Sequence, residues 1–316
     1  MTAPPVAAGF DMGGTNIRVL PLRVDGTIGD TIKMDRPAEP EAMIDAIVDL
    51  TARVGDVEDA PVTSVGVGCA GLVDADGMVR TSPNIPTLVR FPLKQRLEER
   101  LGLPVAVDND ATTATWAEAR LGAARGVDDV AFVALGTGIG TGFVVGGVLH
   151  HGAGFVAGES GHMVIEHDGI PCVCGRRGCW ERYASGTAFG RLAREAAEAG
   201  RADSLVARAG GDPSSVTSEH AAELIAAGDP AALAILDELG YWSAVGIANL
   251  VNVLDPGVVV IGGGVADIGQ VLVDAIERAY RQVMVDVDLR DPLPFALSHF
   301  GGRSGAIGAA LLAAGS

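Results

Sequence analysis

The sequence predicts a mixed α/β protein of two domains, each built on its own sheet. Three observations carry that expectation. The chain has 316 residues, beyond the roughly 250–300 at which a single core usually divides. A strand, a glycine turn and a second strand occur near the start and again after Val130. Between and beyond these two units, extended and helical patterns alternate, as they do where helices cover sheets.

Taken in order, Val6 to Met12 is short and apolar, Gly13-Gly14 turns, and Ile17 to Val24 alternates before Asp25-Gly26, a hairpin signature. Pro40 to Val54 carries Ile44, Ile47, Val48 and Val54 on one helical face, with proline at its start. Thr63–Val67 and Pro104–Val107 read as short buried strands, the second after a helix over Leu93–Leu101. Ala111–Leu121 reads as a helix stopped by Gly122. The hairpin pattern then returns as the strand Val130–Leu135, the run GTGIGTG, and Phe143–Leu149. Thr187–Ala199, Glu219–Ala227 and Pro230–Val253 are predicted helices, followed by a strand over Gly257–Ile261. A GGG turn, a helix over Gln270–Val283, a strand over Pro294–Ser298 and a helix over Ser304–Ala314 complete the chain. No low-complexity linker interrupts it, so the domain junction is expected at the helix near Ala111–Gly122.

Composition narrows the function classes. Lysine and arginine number 23 against 40 acidic residues, a net charge of −17. Such a balance repels nucleic-acid phosphates and anionic lipid surfaces. No run reaches the ~18 consecutive apolar residues of a membrane span, and MTAPPVAAGF lacks the basic and apolar regions of a signal peptide. A soluble, cytoplasmic protein that binds neither nucleic acid nor membrane is the expectation. Glycine is abundant, at 44 residues, about twice the usual ~7% share, and it clusters at strand ends.

Those clusters are candidate ligand sites. At Asp11-Met12-Gly13-Gly14-Thr15, backbone N–H groups can face a phosphate, Thr15 can donate a hydroxyl, and Asp11 can hold magnesium through water. An ordinary hairpin, with glycines for positive φ, is the competing interpretation. Gly136, Thr137, Gly138 and Gly140 form a second cluster, where alternate glycines leave room for a group to approach the backbone. No lysine follows, so this is not a P-loop. The match Gly66-x-Gly68-x-x-Gly71 precedes LVDADG, a turn with no helix, which removes the dinucleotide-binding context. Gly262, Gly263, Gly264 and Val265 lie at the carboxyl end of a strand, where α/β sheets bind ligands. A plain strand-to-helix turn is the alternative there.

Cys172, Cys174 and Cys179 with His162 supply three thiolates and an imidazole, a ligand set that closes a structural zinc site. Gly175 and Gly178 provide tight turns for such a knuckle. Reduced, unliganded thiols are the alternative. Glu159 and Glu181 flank the knuckle and would be fixed by it, suited to accept hydrogen bonds from sugar hydroxyls, although either read alone is an ordinary solvated surface residue. His150-His151 has no partner at ligand spacing and reads as a loop feature. In Asp108-Asn109-Asp110, a carboxylate can serve as general base and the amide can bind a hydroxyl, while Asp110 is also a natural helix cap.

Together, DMGGTNIR, VGVGCAGLVD, SPNIP, VDNDA, LGTGIGTG, GESGHM, CVCGRRGCWE and IGGGV resemble, in order, the ROK family of sugar kinases and repressors within the actin/hexokinase/Hsp70 ATPase superfamily. GESGH with the CxCGxxGCxE pattern is the most specific part. One departure is Asn16, where many relatives carry lysine. The resemblance implies a two-domain actin-like ATPase (ribonuclease H-like) fold, with mixed sheets flanked by helices and an interdomain cleft that closes on its substrates and expels water. Residues 1–112 and 303–316 would form the small domain with a returning C-terminal helix, and 113–302 the large domain with the zinc knuckle.

The implied activity is transfer of the ATP γ-phosphate to the 6-hydroxyl of a hexose. Asp110 would be the base. Gly71, Asn84, Asn109, Glu159, His162 and Glu181 would hold the sugar, Gly13–Thr15 and Gly136–Gly140 the phosphates, and Gly262–Val265 the adenosine. ATP, magnesium and structural zinc are the implied cofactors, and a homodimer or homotetramer the implied assembly. Glucose is the expected sugar, with N-acetylglucosamine, N-acetylmannosamine and fructose as alternatives of the same family. Polyphosphate-using relatives tend to lack the knuckle, which favours ATP. A sugar-sensing repressor is the alternative of another class, disfavoured because only ten residues precede Asp11 and the chain is acidic.

Overall fold

The computed structural model describes residues 4–315; the first three residues of the N-terminal stretch and Ser316 lie outside the described residues. The chain forms two compact units. One runs to Asp128 and includes Gly142–Gly158 and the segment from Gly302, and the other comprises Asp129–Thr141 and Glu159–Gly301. These bounds differ from the division at 112/113, which would cut a helix that the first unit keeps whole.

In the first unit, β1 (Val6–Met12) pairs antiparallel with β2 (Asn16–Arg23), and β3 (Ile32–Asp35) extends the sheet. Helix α1 (Pro40–Glu58) starts on its proline and stops at Asp59, which adopts the left-handed conformation. Strand β4 (Val62–Cys69) leads to the small pair β5 (Leu72–Val73) and β6 (Val79–Thr81), then α2 (Leu93–Leu101), β7 (Val105–Asn109) and α3 (Asp110–Arg120). The five-stranded order is β3-β2-β1-β4-β7. Phe10, Met12, Ile17, Val19, Ile44 and Ile47 are fully buried on its α1 side.

Strands β1, β4 and β7 are parallel, and their register sets Met12 beside Cys69 and Cys69 beside Asn109. Three strands therefore end on one row. The Gly13-Gly14 turn, the Gly71 turn and Asp110 all follow that carboxyl edge, where open α/β sheets bind ligands.

The second unit begins with β8 (Val130–Leu135) and β9 (Ile139–Val145), which leaves the unit at Gly142 and continues to β10 (Val148–Leu149). Only Gly136–Gly138 turn: the Gly136 N–H donates to the Gly138 carbonyl at 3.0 Å, and the strand resumes at Ile139. Gly140 thus lies within a strand and not in the loop that GTGIGTG predicts. Then come α4 (Glu181–Ala184), α5 (Gly186–Glu198), α6 (Asp203–Arg208), α7 (Ser218–Ala226), α8 (Pro230–Leu254), β11 (Val258–Gly262), α9 (Gln270–Val283) and β12 (Phe295–Leu297). Helix α10 (Ser304–Ala314) returns to the first unit. The second sheet has the order β10-β9-β8-β11-β12, with β8, β11 and β12 parallel.

Helix α8 is long and apolar enough to cross a membrane, yet Leu236, Leu239 and Ile247 bury it as the centre of the second unit, against α5 and α9. Its Asp229 side chain caps the Ala232 N–H. Gly246 admits the Trp180 ring, which a Cβ there would strike at 2.0 Å. In the first unit, a Cβ on Gly66 would lie 1.8 Å from the Ala309 carbonyl, and one on Gly308 1.7 Å from that of Thr113. Part of the glycine excess therefore belongs to the close seating of α10 on the sheet and on α3.

Candidate active site

At the first unit's carboxyl edge, Gly13 and Gly14 answer no demand of the fold. Neither Gly13 nor Gly14 has positive φ, and added Cβ atoms would meet nothing closer than 3.7 Å and 3.4 Å, the latter at Asn84. The hairpin is present, but it does not use these glycines for positive φ. What glycine preserves here is open backbone. Arg36 braces the turn, donating from Nη2 and Nε to the Gly14 carbonyl at 2.7 Å and 3.1 Å. Asp11 sits behind it, its Oδ2 2.9 Å from Arg18 Nη1. Burial pushes the Asp11 carboxyl above its usual range, against the pull of the guanidinium.

Asp110 is the first residue of α3, and the cap is Asn109, not Asp110 as the sequence reading allowed. Asn109 Oδ1 accepts the Ala111 and Thr112 N–H groups at 2.9 Å and 3.0 Å, and its Nδ2 donates to the Gly71 carbonyl at 3.0 Å. Asp110 Oδ1 shares the Ala111 N–H, at 2.9 Å. Gly71 is held at φ 126, and a Cβ there would strike the Thr81 carbonyl. Asn84 is exposed beside Gly14. Cys69, buried between the two carboxylates, has its thiol pushed far up by burial and further by Asp110 and Asp11.

In the second unit, a cleft of about 540 Å³ opens at the carboxyl ends of β8 and β11. Gly136, Thr137, Gly264 and Val265 line it, as do Gly186, Thr187, Phe189, Ser218, Glu219, Ala222 and Ile268. The size lies within the range of small-ligand pockets. Gly136 and Gly264 are again open positions: an added Cβ meets only the Gly138 carbonyl at 3.9 Å, or nothing at all. Gly262 and Gly263 are different. They are kept by packing, against Phe132 and against the Leu135 backbone respectively.

The knuckle draws together His162, Cys172, Cys174 and Cys179, whose ligand atoms lie within 4.8 Å of one another. Cys174 Sγ is 3.5 Å from Cys179 Sγ, and Cys172 Sγ is 3.8 Å from His162 Nδ1. A tetrahedral ion with Zn–S bonds of about 2.3 Å has edges of roughly 3.7 Å, so the donor set and its spacing fit zinc. Gly175 and Gly178 make the turns at φ 86 and 75. Burial raises the Cys172 and Cys179 thiols, while the Arg176 backbone N–H lowers the exposed Cys174.

Glu159 and Glu181 flank His162 on opposite sides. Its Nε2 lies 3.9 Å from Glu159 Oε2, and its Nδ1 3.6 Å from Glu181 Oε1. Desolvation pushes the Glu159 carboxyl up, with His162 opposing and Glu181 adding. Glu181 starts α4 directly after Trp180, which is fully buried and donates from Nε1 to the Trp242 carbonyl at 2.8 Å. Glu181 is thus anchored by the core as well as by the knuckle. Its Oε2 would lie 2.7 Å from a Cβ on Gly138.

That contact changes what a glycine substitution can report. A side chain at Gly138 would disturb Glu181 together with the turn, whereas one at Gly136 enters open space. Gly136→Val is therefore expected to raise the KM for nucleotide about tenfold or more and to leave the sugar KM within about twofold. Steady-state kinetics with each substrate varied in turn checks the split.

His151 also departs from expectation. Instead of a partnerless loop residue, it sets Nε2 2.6 Å from Asp108 Oδ2 and stacks on Phe155. No local spacing shows this pair, nor the Arg36 brace, nor the contribution of α5 and α7 to the cleft. Glycine, threonine and serine at helix starts were the only available signal.

A profile described as the ROK family matches residues 7–316. A glucokinase of Streptomyces coelicolor is 38% identical over 310 residues, covering 96% of each chain. An N-acetylgalactosamine kinase of Shewanella is 32% identical over 97% of this chain and 96% of its own. A ROK family glucokinase from Streptomyces griseus, solved with glucose and AMPPNP, is 38% identical with a TM-score of 0.88, over 98% of this chain and all of its own. With the family match running from residue 7 to 316 and 38% identity across nearly all of a relative, the chain belongs to the ROK family.

Proposed function

We propose that the protein is an ATP-dependent hexose kinase that transfers the γ-phosphate to the 6-hydroxyl of glucose. The observation that carries the reading is the likeness over 98% of the chain to a glucokinase holding glucose and AMPPNP. The open turns Gly13–Thr15 and Gly136–Gly138 suit phosphate oxygens, and Gly140 follows in the adjoining strand. The cleft at Gly264 and Val265 suits an adenosine, with Phe189 and Ile268 as apolar surface, and Gly262 and Gly263 shape its floor. Phosphoryl transfer asks mainly for positioning and charge neutralisation. Magnesium on the nucleotide supplies part of that neutralisation, and Asp11 is the carboxylate proposed to hold it through water.

Asp110 receives the proton of the acceptor hydroxyl as the new O–P bond forms and the bond from the γ-phosphorus to the bridging oxygen breaks, releasing ADP. Glu159 and Glu181 accept hydrogen bonds from sugar hydroxyls, His162 offers its Nε2, and Gly71, Asn84 and Asn109 complete the sugar contacts. Zinc held by His162 Nδ1, Cys172, Cys174 and Cys179 would fix that arrangement. Cys172 Sγ donates to Glu181 Oε1 at 3.0 Å. A metal-bound thiolate has no proton to give, so zinc would leave that oxygen to the sugar. A homodimer or homotetramer, checked by light scattering, is the assembly that the family resemblance favours.

Two measurements test this reading. A coupled ADP-release assay over glucose, fructose and the N-acetylhexosamines should give the highest kcat/KM with glucose. Turnover confined to an N-acetylhexosamine would contradict the sugar assignment, and none with any hexose would contradict the kinase. Glu181→Ala should raise the glucose KM about ten- to a hundredfold, because a charge-assisted hydrogen bond contributes roughly 1.5–3 kcal/mol. The ATP KM should move little. The opposite pattern would put the sugar elsewhere.

A further inference from the structure

We propose that His151 is a positioning residue for Asp110 and acts through Asp108. The role rests on the reading of Asp110 as the base, and all three residues belong to the first unit. Asp108 is 7% exposed and lies two residues before Asp110, at the end of β7. Its two carboxylate oxygens have different tasks. Oδ1 accepts the Asn109 backbone N–H at 2.7 Å, and Oδ2 lies 2.6 Å from His151 Nε2.

The histidine is itself held in place. Its ring stacks on Phe155 with centroids 4.1 Å apart and planes inclined by 14°. Its carbonyl accepts the Ala157 N–H at 3.0 Å. Phe155 takes a left-handed φ of 59, a conformation uncommon for a bulky side chain and kept only where the surroundings impose it.

A single line of contacts therefore runs to the base. His151 fixes the Asp108 carboxylate, which fixes the Asn109 N–H and with it the peptide between β7 and α3. The Asn109 side chain then caps α3 and grips the Gly71 carbonyl, and Asp110 is the first residue of that helix. Without His151, Oδ2 of a nearly buried carboxylate loses its partner, and leaving such an oxygen unpaired is costly. The carboxylate would turn toward water and release the Asn109 N–H. A displacement of about 1 Å at a reacting group can reduce turnover by about 10²-fold.

The test compares His151→Ala, His151→Gln, Asp108→Asn and the double variant His151→Ala with Asp108→Asn, with Asp110→Asn in parallel. His151→Ala should lower kcat about 10- to 100-fold, with the ATP KM within about twofold of the parent. His151→Gln, whose amide can still donate to Asp108, should regain most of that loss. Asp108→Asn should resemble His151→Ala, and the double variant should be no worse than either single one, as expected of residues on one line. A His151→Ala protein with parental kcat and only a lowered Tm would overturn the proposal, and so would additive losses. If His151→Ala does not fold, Asp108→Asn decides: parental kcat overturns the proposal, and a kcat loss at unchanged ATP KM upholds it. If Asp110→Asn retained full turnover, the assignment of the base would fail first. An inactive Asp110→Asn beside a fully active His151→Ala would sink this inference alone.

Discussion

Asp110→Asn should lose about 10²–10⁴-fold in kcat while the chain stays folded and glucose still binds, the usual effect of removing a general base. The structure makes the substitution clean. Asn109 Oδ1 accepts the Ala111 and Thr112 N–H groups, and the Ala111 N–H also meets Asp110 Oδ1 at 2.9 Å, an oxygen that asparagine retains, so the helix keeps its cap when Asp110 becomes an amide. An asparagine fits the same volume and cannot take the hydroxyl proton. Thermal unfolding and glucose-induced fluorescence change measure folding and binding separately from turnover. Parental kcat in the variant would remove Asp110 from the chemistry, and Asp108 would then be the carboxylate to test.

Cys174→Ser should reduce zinc from about one ion per chain, lower Tm, and raise the glucose KM about ten- to a hundredfold. These three effects should appear together because one element links them. His162 presents Nδ1 to the cysteines and Nε2 toward Glu159, and Glu181 lies against both Cys172 and His162. Losing the ion frees the histidine ring and returns a thiol proton to compete for Glu181. Metal-binding free energy is also folding free energy in such sites. Cys174 is the exposed ligand, so a chelator should reproduce the variant's behaviour in the parent protein. Metal analysis of protein purified without chelator that found no zinc would end this account of the knuckle.

Much of the fold was legible because its elements carry strong local signals. The strand Val6–Met12 and the helices Leu93–Leu101, Gln270–Val283 and Ser304–Ala314 have the bounds that pattern and punctuation predict. Shorter pieces such as Ile32–Asp35 and Asp203–Arg208 hold too few residues for a period to show. The candidate site was legible where reactive residue types are concentrated in short motifs, as in the Cys/His cluster and the glycine turns. It was not legible where partners lie far apart in the chain. His151 meets Asp108 across 43 residues, and Ser304 donates to the buried Glu118 across 186. Nor could spacing separate glycines kept by packing, such as Gly66 and Gly263, from open ones such as Gly13 and Gly136; only the surroundings of each Cα make that distinction.

Phosphorus NMR of a reaction containing the protein, glucose, ATP and magnesium tests the central claim most directly. The account predicts one new signal, that of a hexose 6-phosphate, growing in step with ADP and almost absent with Asp110→Asn. Release of inorganic phosphate without a sugar phosphate, or a product phosphorylated at another oxygen, would contradict it.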